Sequence, residues 1–216
     1  MKKALYLFAI ILGGITIGNA QVTFKPGIRG GLNMSHFSKG NDANYYSSYY
    51  GNNGNRGFES ESKTSLYVGF FGDLKLTKYY SLQPELNYSR QGSSVFNYDN
   101  NGAKYTTDYD LSYLSVGVAN KFTFNKFNVH VGPTIDFLID NKVTATNINN
   151  NYNNYYGWDG TPIDLSFFLG AGYDITSNFG VEARIKKGII PVIDSSYGNH
   201  TNVVFSVGAF YKFDVK

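Results

Sequence analysis

The chain contains no cysteine. No disulfide framework can staple it, and lipid attachment through an N-terminal cysteine is closed. Small secreted folds often rely on disulfides, so this one must be stabilised in another way. Proline is scarce, with 5 among 216 residues, and helical periodicity is almost missing. After residue 20 no run of 18 apolar residues occurs. That excludes a membrane-crossing helix but not a barrel, whose strands are short and only half apolar. An excess of charge of one sign is also lacking: beyond Lys2 and Lys3, 17 basic residues face 16 acidic ones. A net charge near +1 leaves no electrostatic footprint for nucleic acid, and none is expected as a partner. No His/Asp/Glu group has metal-ligand spacing, so no metal and no other cofactor is expected.

What is present begins with a leader. "MKKALYLFAIILGGITIGNA" has two lysines, an apolar run from Ala4 to about Ile17, and small residues at Gly18 and Ala20. These features mark a secretory signal peptide over 1–20, cut between Ala20 and Gln21, with one domain over 21–216. The run is too short for a retained anchor. The rest is rich in Tyr (19), Phe (17) and Gly (24), a composition suited to strands.

Period-2 alternation appears in eight segments: Phe24–Ser35, Leu66–Leu76, Tyr80–Gln91, Asp110–Phe124, Phe127–Ile139, Ile163–Thr176, Phe179–Ile193 and Thr201–Phe213. The connections between them alternate. Those around Thr77-Lys78-Tyr79, Asn125-Lys126 and Ser177-Asn178 are tight; those at Phe37–Ser65, Gly92–Tyr109 and Asp140–Pro162 are long, and Asp194–His200 is intermediate. Short turns on one rim and long polar loops on the other describe an outer-membrane barrel with both termini on the short-turn side. The expected fold is all-β, an eight-stranded antiparallel transmembrane β-barrel with long extracellular loops and short periplasmic turns.

The strand faces decide which side meets oil. Along "GVEARIKKGI", Val181, Ala183 and Ile185 alternate with Glu182, Arg184 and Lys186. Elsewhere the apolar face opposes a face of Gly, Ser and charge, as small residues are expected where side chains crowd inside a narrow barrel. The inward charges are Lys25, Arg29, Lys75, Lys121, Arg184, Lys186 and Lys212, against Asp73, Glu85, Asp136, Asp174 and Glu182. Seven cations and five anions in one lumen form an ion-pair network that plugs it, so the oily face meets lipid. Phe24, Tyr79, Tyr80, Phe124, Phe127, Phe179, Tyr211 and Phe213 gather beside the short turns, as an interfacial aromatic belt should.

The stretches "PGIRGGLNMS", "LQPELNYSRQG", "YLSVGVANKF", "VHVGPTIDFLI" and "FGVEARIKKGI" resemble successive strands of the PorT-like outer-membrane β-barrel family, whose barrel is similar to the membrane domain of outer membrane protein A. The resemblance spans the mature chain and implies residence in the outer membrane of a Gram-negative bacterium. Its expected partners are outer-membrane lipid and lipopolysaccharide and the barrel assembly machinery. Such barrels often end on an aromatic residue; here Phe213 is followed by Asp214, Val215 and Lys216.

Few residues suggest catalysis. His36 and Ser38 have the His-x-Ser spacing of outer-membrane lipid A deacylases, and a hydrolase would also need an acid to orient the imidazole. Asp108-x-Asp110 has the spacing of the acidic pair of outer-membrane aspartyl proteases, without their Asp/His partner motif. His130 points inward, and His200 lies in the last loop with no cluster around it. The loops "NYYSSYYGNNGNRG" and "NINNNYNNYYGWDG" have the Tyr/Asn/Ser/Gly composition of adaptable recognition loops, suited to an extracellular ligand. A non-enzymatic structural or surface-contact barrel with a plugged lumen is the first expectation. A lipid A-modifying hydrolase and a small pore are the alternatives. The mature protein should begin at Gln21 by N-terminal sequencing and migrate differently on SDS gels before and after boiling. Identical mobility, with all protein in the soluble periplasmic fraction, would contradict the membrane assignment.

Overall fold

A computed structural model of the chain describes residues 22–38, 59–98, 104–147, 153–156, 161–195 and 198–215. The leader with its cut at Ala20–Gln21, and most of the two Tyr/Asn-rich loops, lie outside the described residues. Within them the elements are β1 (Thr23–Phe37), β2 (Glu59–Lys75), β3 (Tyr80–Tyr98), β4 (Lys104–Phe124), β5 (Phe127–Asn147), β6 (Asn153–Tyr156), β7 (Ile163–Asp174), β8 (Phe179–Gly188), β9 (Ile193–Ser195), β10 (Gly198–His200) and β11 (Asn202–Lys212). Antiparallel pairing runs β1–β2–β3–β4–β5–β7–β8–β11 and returns to β1, where Gly27 stands opposite Lys212 and Phe37 opposite Asn202. Eight strands therefore close into a ring. None of the described residues forms a helix long and apolar enough to cross a membrane.

The three short turns have local causes. Thr77 and Thr176 occupy the same place in two of them. Thr77 Oγ1 accepts the backbone N–H of Tyr80 at 3.0 Å, and Thr176 Oγ1 that of Phe179 at 2.9 Å. Such hydroxyl-to-backbone bonds hold a turn by mimicking one. The third turn is Asn125-Lys126, with Asn125 at φ 57°, a left-handed conformation that Asn tolerates better than most residues.

Alternation holds on every barrel strand. On β5, Val131, Pro133, Ile135 and Phe137 are exposed while His130, Gly132, Thr134 and Asp136 are buried, and β7 repeats the pattern. The large exposed side chains are apolar and ring the barrel, from Ile28 and Leu32 through Phe70, Leu86, Val116 and Leu169 to Val207. The buried set is mostly polar. That inversion of a soluble core is the lipid-facing arrangement. Phe24, Tyr79, Phe124, Phe127, Phe179, Tyr211 and Phe213 are exposed at the short-turn rim, with Tyr80 half-buried beside them. Tyr79 stacks on Phe124 and Tyr211 meets Phe213 edge-on.

The ends of the strands differ from expectation on the long-loop side. Of Gly92–Tyr109, expected as a long loop, the described residues are paired strand: Gly92 faces Asp110 and the register runs unbroken to Tyr98 opposite Lys104. Likewise β2 starts at Glu59 and β5 runs to Asn147, where β6 pairs back onto it. In the other direction β8 stops at Gly188, short of Ile193. Outside lipid the outward face no longer has to be apolar, so alternation fades at Arg90, Ser112 and Asp140 while backbone pairing continues. Two register shifts, between Ser62 and Tyr67 on β2 and at Ser112/Tyr113 against β5, accompany the transition.

The faces set a test on one strand pair. Val131 and Leu169 are cross-strand partners facing lipid, whereas Thr134 and Ser166 are partners facing inward. Val131→Arg or Leu169→Arg should cost about 2–4 kcal/mol in urea–lipid titrations. Thr134→Arg and Ser166→Arg should instead be limited by space in the lumen. Equal tolerance of both pairs would contradict the register.

Candidate functional site: the filled lumen

The lumen is filled in layers. At its middle, Arg29 on β1 donates from Nη1 to Glu85 on β3 at 2.6 Å and from Nη2 to Glu182 on β8 at 2.7 Å. Arg184, also on β8, donates to Glu85 through both terminal nitrogens, at 2.7 and 2.9 Å, and lies 3.3 Å from Glu182. Two guanidinium forks and two carboxylates thus alternate across the bore. The four side chains are at most 10% exposed. Buried charge is tolerable only when paired and hydrogen-bonded on its remaining atoms, and the neighbours supply those bonds. Gln83 donates to Glu85 at 2.8 Å and Tyr67 Oη to Glu182 at 3.1 Å. Delocalised guanidinium also stacks on rings: Arg29 stands over Phe71 at 5.2 Å and Arg184 over Phe168 at 4.7 Å. His130 is buried beside them, with Nδ1 on Asn128 at 3.1 Å and Nε2 4.0 Å from Glu182. Gly170 makes the room: a Cβ there would overlap His130 Nε2 and crowd Arg184.

Above this layer toward the long loops lies a polar cavity of about 60 Å³, lined in part by Asn33, Asn87, Ser89, Ser115 and Thr134. Lys186 closes on Asp136 at 2.6 Å, and Ser166 donates to the same carboxylate at 2.9 Å. Higher still the filling turns apolar. Phe37, Val95, Leu111, Tyr113 and Val192 form a buried cluster. Val192 arrives from the last connection, held by its N–H on the His200 carbonyl at 2.8 Å. Below the central layer, Lys121 pairs with Asp73 at 3.4 Å and Lys212 with Asp174 at 2.7 Å.

The twelve inward charges expected as one network are therefore divided. Arg29, Glu85, Glu182 and Arg184 form one cluster, Asp136 with Lys186 a second, and Asp73, Lys121, Asp174 and Lys212 two pairs near the short turns. Lys25 is bound to Asp214 at the exposed rim, and Lys75 is exposed with no carboxylate partner among the described residues. The hydrogen bonds from Lys25 and Asn178 hold the Asp214 carboxyl below the usual carboxylate range. The inward face also carries the buried aromatics Tyr67, Phe71, Phe168 and Phe210, which are not among the residues expected there from the sequence. A signal existed. Phe70-Phe71, Phe167-Phe168 and Phe210-Tyr211 are doublets, and adjacent residues on a strand face opposite ways.

The hydrolase candidates are placed differently. His36 and Ser38 follow one another on the outward side of the end of β1, and no hydrogen bond joins them. Ser38 Oγ contacts Thr201 Oγ1 at 3.0 Å and accepts the Thr201 N–H at 3.1 Å. His200 Nδ1 is 2.9 Å from the Ser38 carbonyl oxygen. Asp108 and Asp110 both face Lys63, at 3.7 and 2.7 Å. Among the described residues no group of three or more His, Asp or Glu could hold a metal.

The chain is similar to several solved structures. Neisserial surface protein A is similar at 14% identity, over 87% of this chain and 97% of its own, with a TM-score of 0.49. Ail, the attachment invasion locus protein of Yersinia pestis, aligns at 12% identity over 88% of this chain and 98% of its own, with a TM-score of 0.50. The outer membrane protein OprG from Pseudomonas aeruginosa aligns at 14% identity over 91% and 99%, with a TM-score of 0.45. At 12% identity the likeness to Ail speaks for fold alone. No curated protein matches the chain. The family described as outer membrane protein beta-barrel domain matches residues 19–194. With its closed eight-stranded ring and lipid-facing exterior, the chain belongs to that outer-membrane β-barrel family.

Proposed function

We propose that the protein is a non-enzymatic outer-membrane barrel with a closed lumen, acting through its extracellular rim as a structural or surface-contact protein. The observation that carries this reading is the Arg29–Glu85–Arg184–Glu182 layer, which spans the bore from β1 through β3 to β8. An eight-stranded barrel is only just wide enough to be filled by its own side chains. The apolar cluster around Phe37 and Tyr113 adds a second seal above it. Contact has a platform: β3 and β4 pair for eight residues beyond Arg90 and Ser112, roughly 27 Å of strand past the apolar band. They carry the Tyr/Asn-rich loops' neighbours into the extracellular space. Ser38 held on Thr201 rather than on His36 supports the non-enzymatic reading over the lipid A hydrolase. The strand sequences support a PorT-like member of the family, exported with the 1–20 leader cleaved, inserted by the assembly machinery and surrounded by lipopolysaccharide.

The test is conductance in planar bilayers together with lipid A mass. The purified barrel should give no stable current steps, and lipid A mass should be unchanged by its presence. Arg184→Ala leaves Glu85 and Glu182 sharing Arg29. It should lower the unfolding midpoint, toward the lower end of the roughly 3–5 kcal/mol seen when one partner of a buried pair is removed, because the adjoining cavity admits water. A variant of unchanged stability that abolishes a large pre-existing current would show the lumen to be a pathway.

A further inference from the structure

Below the plug the lumen widens toward the short turns into a cavity of about 240 Å³. Five of its lining residues are lysines, and only two, Asp73 and Asp174, are acidic. Those carboxylates are already taken by Lys121 and Lys212, and Lys25 is taken by Asp214. Lys75 and Lys78 remain with no carboxylate within 4.0 Å among the described residues; Lys78 Nζ stands 5.3 Å from the Tyr79 ring. The cavity is built rather than incidental. Lys121 and Lys212 are less than a tenth exposed, and both stand over the Phe210 ring, at 5.3 and 5.5 Å. Ser81, also buried, adds a hydroxyl to the wall.

We propose that this basin binds a soluble phosphate-type oxyanion carrying two or more negative charges. Lys75 and Lys78 add two unpaired positive charges to a basin wall that already holds three ion-paired lysines, and a cleft lined by one sign of charge attracts a counter-ion of two or more charges most strongly. Ammonium and hydroxyl groups are donors suited to compact phosphate oxygens. The Arg–Glu layer closes the basin from above and the barrel wall closes it from the sides, so the ligand enters through the short-turn mouth. That mouth is periplasmic in this architecture. A phosphate from an inner-leaflet lipid headgroup has the same chemistry and would have to bend over the Thr77–Tyr80 turn to reach it. The inference does not depend on the surface-contact reading and is tested without it.

Pyrophosphate is titrated by calorimetry and by phosphorus NMR into the mature barrel in a maltoside detergent at low ionic strength. One saturable site is expected, weakening as salt is raised. The double variant Lys75→Gln/Lys78→Gln, checked for folding by its heat-modifiable gel mobility, should bind at least tenfold more weakly. Lys187→Gln, on the outward face, should bind as the wild type does. The site should persist in phosphatidylcholine nanodiscs. If it is occluded in phosphatidylglycerol nanodiscs, the lipid headgroup is the occupant and the soluble ligand is overturned. No saturable binding, or equal binding by the double variant, overturns the site.

Discussion

The structure depends on one constraint: within hydrocarbon no water can satisfy a backbone N–H or C=O. A sheet can cross only if it has no edge, and the β1–β11 pairing removes it. Everything else follows from that closure. The outward face must be apolar, since lipid touches it on all sides. The inward face must fill a bore of fixed width set by eight strands. Gly31 shows how tight the seam is, because a Cβ there would overlap the Val207 carbonyl and Gly208 on β11.

Inside, the filling is ordered by depth. The central charges are stable as a set because each carboxylate meets two guanidinium groups and each guanidinium rests on a ring. The small cavity above lies between the charged layer and neutral polar residues such as Asn33, Ser89 and Thr134, and an apolar cluster closes the long-loop end. The basin at the other end is wider, with Lys121 and Lys212 buried in its wall and Lys75 and Lys78 exposed at its mouth. A closed middle and an open, cationic mouth are different environments within one bore, and only the middle has its charges balanced.

Beyond the lipid the rules relax unevenly. Backbone pairing still favours continuing the ladder, so β2 to β5 run on past the apolar band. Side chains there form surface pairs such as Lys63 with Asp110, and Ser94 donates to Asp108. Pairs of this kind near the surface contribute little stability, so the packing there comes from the paired strands and from the buried Val95 and Leu111 of the apolar cluster.

How much of this was legible in the sequence follows from range. Strand faces and the lipid-facing side were legible, because alternation is a property of neighbouring residues and lipid enforces it on one whole face. The turns were legible as turns, but the shared hydroxyl bonds of Thr77 and Thr176 depend on backbone geometry that residue type alone does not specify. The outer strand ends were not legible, since the apolar signal stops at the membrane surface while hydrogen bonding does not. Charge partners were beyond reach as well. Arg29 meets Glu85 and Glu182 across 56 and 153 residues, and that meeting is fixed by the stagger between strands. The sequence by itself determined which residues point inward; only the register of the closed ring decided which of them touch, because depth in the bore depends on the tilt and offset of every strand between them.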